Sequence, residues 1–130
     1  MSTWQGYRDQ SHKFLEVAQA LDPGDYPSQV VSNAVLAAVA ANDALGLLQT
    51  GQPAGAHSHA DILSLLSRAT KGTPMGSELP RRSEQLRRLL AHEQSALSGE
   101  LVCEEVAREA MADAADFIGW VERVLPTGGE

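Results

Sequence analysis

A single cysteine, Cys103, leaves no means of closing an internal disulfide, so side-chain packing has to hold the fold. No stretch near Met1 joins basic residues to an apolar run and a cleavage signal, which makes a reducing cytoplasm the expected setting. Aromatics are scarce, with two each of Trp, Tyr and Phe, and a core therefore has to be built from Ala, Leu and Val. Such small side chains let helices approach closely. Basic residues are the minority as well: 10 Lys and Arg face 17 Asp and Glu, and a net charge of −7 opposes general affinity for a polyanion. The chain also lacks a glycine-rich phosphate loop, a nucleophile elbow, a dinucleotide fingerprint and any internal repeat. No alternating pattern of a strand occurs.

What is present is helical periodicity over one domain, 1–130, too short for two comfortable cores. Tyr7, Ser11, Phe14, Leu15, Ala18 and Leu21 predict a first helix from about Thr3 to Leu21, ended by Asp22-Pro23-Gly24-Asp25. Pro27 opens a second that runs to about Gln49 and stops at Gly51-Gln52-Pro53. It is apolar on nearly every side, as a central helix is. Its length approaches a membrane span, but Ser32, Asn33, Asn42 and Asp43 interrupt it, and no membrane partner is expected. Ser58 caps a short third helix with Ile62, Leu65, Leu66 and Ala69, and Gly72, Pro74 and Gly76 mark a flexible connection. A fourth helix opens at Pro80, reaches Leu97 and is closed by Ser98-Gly99; a fifth covers Leu101 to Leu125 with a stripe from Val102 through Phe117 to Val124. The expected architecture is an all-α antiparallel bundle of four to five helices. Trp4, Met111 and Trp120 lie off the main stripes, and they either leave apolar surface that a second copy would cover or cap the ends of the bundle itself.

Charge is unevenly spread. Residues 1–67 carry 2 basic and 6 acidic side chains, residues 68–92 carry 6 and 2, and residues 93–130 carry 2 and 9. The basic quarter contains Leu86-Arg87-Arg88-Leu89-Leu90-Ala91-His92, where an arginine able to grip phosphate precedes a histidine able to move a proton near neutral pH. With Leu86 at zero on a helical wheel, Leu79, Leu90 and Leu97 fall within about 40°, Arg87 lies at about 100° and His92 at about 240°. The two flank the buried stripe on opposite sides, so they can converge only across a dimer. Arg88 lies four residues before His92 on a similar face, as a polar support of the same site, and four after Glu84, a spacing that predicts a surface ion pair. Asp43 and Glu93 occupy positions on apolar faces, as polar supports of a site or as carboxylates satisfied by a neighbouring helix. His57, His59 and Asp61 cluster at a helix start, but no second cluster completes a zinc set, and no metal or cofactor is expected.

Three segments together resemble the HEPN (higher eukaryotes and prokaryotes nucleotide-binding) superfamily: the helix Asn33 to Leu45 with its Gly-containing turn, the His-led stretch His59 to Leu66, and Arg87 to His92 ahead of a helix ending Phe117-Ile118-Gly119-Trp120-Val121-Glu122. The resemblance covers about 27–125 and implies a dimer. In active members an Arg, four to six residues and a His form a metal-independent ribonuclease site at the dimer cleft, often within toxin–antitoxin or defence systems. The resemblance gives His92 the proton transfers and Arg87 the scissile phosphate of an RNA. Arg88 stands where active members commonly have Asn, and Glu93-Gln94 follows His92 where an aromatic is common. Those departures support the alternative, a non-catalytic module that binds a nucleotide or a partner protein such as an antitoxin or a nucleotidyltransferase.

Overall fold

A computed structural model describes residues 3–53, 58–97 and 101–126. They form five α-helices, α1 (Trp4–Ala20), α2 (Pro27–Thr50), α3 (His59–Thr70), α4 (Leu79–Leu97) and α5 (Glu104–Val124), with a short 3-10 helix at Pro74–Glu78 and no strand among the described residues. The expected positions of Ser98-Gly99 and of the tail beyond Pro126 lie outside them.

Helix α2 is the axis of the bundle and touches all four others. Val30, Val31, Ala34, Val35, Ala37, Ala38, Ala41 and Leu45 are all buried, because their small or branched side chains let neighbours pack on every side. By length and composition α2 could cross a membrane, yet 67% of its most apolar window is covered within this fold. Pro27 presets its first turn. Gly51, at φ 79°, ends it in the left-handed region and donates its N–H to Leu47 O at 2.9 Å.

Local capping explains most other boundaries. Thr3 Oγ1 accepts from Gly6 N at 3.1 Å, and Ser58 Oγ accepts from Asp61 N at 3.0 Å, satisfying first-turn amides of α1 and α3. The connection with Gly72, Pro74 and Gly76 is more ordered than its composition predicts. Thr73 Oγ1 accepts from Met75 N at 3.2 Å and Pro74 fixes the first backbone angle, so one 3-10 turn forms there. Helix α5 starts three residues later than the periodicity predicts: Val102 is buried as an anchor, Leu101 is 98% exposed and Cys103 becomes the N-cap. Glu104 and Glu105 then place negative charge at its N-terminus.

Ser11 on α1 is buried, and its hydroxyl donates to Ala37 O on α2 at 2.8 Å. Ser11→Ala removes that donor from a dry interface, and a loss of about 1 kcal/mol is expected in urea unfolding. An unchanged midpoint would show that the bond contributes nothing.

Candidate functional site

Helix α4 is seated differently from its leucine pattern. Its buried arc runs through Arg82, Gln85, Leu86, Leu89 and Leu90, whereas Leu97 is 77% exposed. Glu93 continues the arc and is half-buried, as its position in the stripe predicts.

Arg87 lies on the solvent side, and its Nη1 donates to Glu84 Oε1 at 3.2 Å within the same helix. His92 is half-buried and makes no hydrogen bond or ion pair among the described residues. The structure of one chain does not bring Arg87 and His92 together. Arg88 does not take Glu84. It crosses to α5 and grips Asp113 with both prongs of its fork, Nε to Oδ2 at 3.0 Å and Nη2 to Oδ1 at 2.9 Å. A planar guanidinium satisfies both carboxylate oxygens there, which the helical neighbour cannot offer. Asp43 is half-buried on α2 and engaged within the fold. Trp120, off the main stripe of α5, is not left as free surface but is buried against Phe117 with ring centroids 5.8 Å apart.

The larger polar assembly is one that the leucine pattern conceals. Arg82 is 2% exposed, with its guanidinium 5.2 Å from the centre of the Trp120 ring. It donates to Glu78 Oε1 at 2.9 Å, Gln85 Oε1 at 2.8 Å and Asp116 Oδ2 at 3.1 Å. Asp116 also accepts from Gln85 Nε2 at 2.6 Å and Arg81 Nη2 at 2.9 Å. Above these residues an open groove of about 530 Å3 runs between α4 and α5, lined by Arg81, Glu84, Gln85, Arg88, Asp113 and Asp116. Neither Arg87 nor His92 lines it. The legible signal was Arg82 lying four and seven residues before Leu86 and Leu89, with two aspartates spaced i,i+3 on the facing helix.

The hydrogen bond from Gln85, followed by the charges of Arg82 and Arg81, holds the Asp116 carboxyl below its usual range. Its contribution to stability is present above the ordinary aspartate range and is lost as pH falls through the folded value. Burial pushes the Glu93 carboxyl up, and the charge of nearby His59 partly opposes this. The sign is reversed for Glu93: the folded chain holds that proton more tightly, so stability declines as pH rises through the interval above the ordinary glutamate value. Glu93→Gln is therefore expected to raise Tm at about pH 7 and to flatten the decline as pH rises above the ordinary glutamate value. A lower Tm at pH 7 would show that the ionised carboxylate is the stabilising form.

His59 begins α3, while His57 lies outside the described residues, and among those described no group of three or more His, Cys, Asp or Glu gathers as a metal site. Comparison with protein families, with curated proteins and with solved structures finds no match for this chain.

Proposed function

We infer that the chain is a HEPN-like helical module, a homodimer, that works by binding a partner protein and not by cutting RNA. One observation carries this reading: each arginine of the stretch 81–88 is held by a carboxylate of the same chain. Arg81 and Arg82 are held by Asp116, Arg87 by Glu84 and Arg88 by Asp113. Phosphates would have to displace those carboxylates before counterion release could favour binding. The five-helix bundle agrees with the fold that the resemblance implies. Partner classes consistent with it are an antitoxin or a nucleotidyltransferase. The residue roles proposed for Arg88, Glu93 and Asp43 are then positional within the bundle.

A second reading keeps a specific support. Arg87 and Glu84 are both more than half exposed, and such an ion pair contributes only a few tenths of a kcal/mol, so Arg87 is readily released toward a substrate across a dimer cleft with His92 as the proton carrier. Incubation of the purified chain with RNA in the presence of a chelator separates the two. Intact RNA for the wild type, Arg87→Ala and His92→Ala alike is the expected result. Cleavage by the wild type that His92→Ala abolishes would establish the ribonuclease.

A further inference from the structure

Helices α1 and α5 both pack on α2 and run past each other along a seam. His12 of α1 and Glu122 of α5 bridge one end of it. Toward the other end the seam opens into a groove of about 370 Å3, lined by Ala18 of α1, Leu21 just after it, Val30 of α2, and Met111, Ala112 and Ala115 of α5. The floor is apolar. The α5 wall is built of small side chains: Ala112 and Ala115 are exposed, and Gly119 continues the same face, where an added Cβ would meet only the Arg123 guanidinium at 3.9 Å. Small residues at these intervals admit the close approach of another helix, because interaxial distance is set by the side chains at the contact.

Acidic residues adjoin the lining: Asp22 stands between Leu21 and Pro23, and Glu105 lies on the α5 face that carries Arg108, Ala112 and Ala115. Asp22 Oδ1 accepts from the N–H groups of Gly24 at 2.7 Å and Asp25 at 3.2 Å, which fixes the α1–α2 turn beside α5. A Cβ placed on Gly24 would lie 2.9 Å from Glu104 Oε1 and 3.1 Å from Asp22 Oδ1, so these two carboxylates stand side by side, with exposed Asp25 following Gly24 in the same turn and exposed Glu105 following Glu104. The cation that lines the groove, Arg108, is already held by Glu104, with Nε to Oε2 at 2.8 Å. Two copies meeting face to face here would oppose like charges, which disfavours self-association through this surface.

We propose that the α1/α5 groove docks a cationic amphipathic helix from a different protein. Its apolar face lies on Ala112 and Ala115, and its lysines or arginines reach Asp22, Asp25 and Glu105. This deepens the interaction-module reading, on which it rests, by fixing the chemistry of the partner.

The test uses the full chain and a fluorescent peptide with leucine on one helical face and lysine on the other. Controls are a scrambled peptide of the same composition and a version with glutamate in place of lysine. Micromolar binding of the first alone is expected, weakened at least about tenfold by Ala115→Trp, which fills the groove. Asp25→Asn with Glu105→Gln, two exposed positions remote from the packing, is expected to weaken binding and to reduce its dependence on salt. Far-UV circular dichroism checks that each variant keeps its helices, and the charge pair stands as an independent variant if Ala115→Trp does not fold. No binding of the leucine–lysine helix, equal binding of the scrambled peptide, or indifference to both sets of variants overturns the proposal. So does a wild-type dimer, measured by sedimentation, that Ala115→Trp dissociates. RNA cleavage dependent on His92 would instead overturn the module reading itself, so the two failures are distinguishable.

Discussion

Arg82→Ala is expected to lower the unfolding free energy by about 3 kcal/mol, because it removes the shared partner of a buried polar cluster. Gln85, 4% exposed, would lose the donor to its Oε1, and Trp120 would face a void where the guanidinium now lies. Asp116 and Glu78 are each about two-fifths exposed and can rehydrate, which keeps the loss below that of a fully dry ion pair. Arg82→Met retains much of the volume over Trp120 and is expected to lose about 1–2 kcal/mol. Arg87→Ala, which removes only an exposed ion pair, is expected to stay within about 0.5 kcal/mol. Urea unfolding followed by circular dichroism compares the three. Equal losses for Arg82→Ala and Arg87→Ala would mean that the α4–α5 network does not support the fold.

Gly46→Ala should destabilise the chain by about 2 kcal/mol, against the usual gain from placing alanine in a helix. The added Cβ would lie 2.5 Å from Leu65 Cδ2 and 2.6 Å from both Cδ1 and Cγ. Leu65, on α3, is fully buried, so its side chain can yield only against other packed groups. Overlap with a fixed neighbour outweighs the roughly 1 kcal/mol of helix propensity. Leu65→Ala alone opens a cavity, but combined with Gly46→Ala it relieves the overlap, so the double variant is expected to lose at least about 1 kcal/mol less than the two single losses added together. A more stable Gly46→Ala would show that the two helices separate easily at this point.

Helix number and order were legible because Pro27, Gly51 and Ser58 act through local backbone chemistry, which a linear sequence displays directly. The rotation of α4 was not. A leucine ladder at Leu79, Leu86, Leu90 and Leu97 suggests a seam, yet Arg82 and Gln85 are buried beside it because Asp116 and Trp120 on α5 satisfy them. That compensation comes from residues more than thirty positions away, and the register of Arg82 with Leu86 and Leu89 does not by itself reveal it. The choice for Trp120 between exposed surface and a place inside the bundle was not legible for the same reason, since the distant Arg82 guanidinium covers its ring together with Phe117. For the candidate site, sequence gave the separation of Arg87 and His92 on opposite flanks of α4. It could not show that Arg88 prefers Asp113 to Glu84, a choice made by the geometry between two helices.

The assignment of the α4 arginines to the fold is tested most directly by titrating the chain into a fluorescent single-stranded RNA at several salt concentrations. Binding no tighter than about 10⁻⁴ M at physiological salt is expected, since the cations of Arg81, Arg82, Arg87 and Arg88 are held internally. Sub-micromolar binding with a steep salt dependence, reduced by Arg87→Ala, would contradict it.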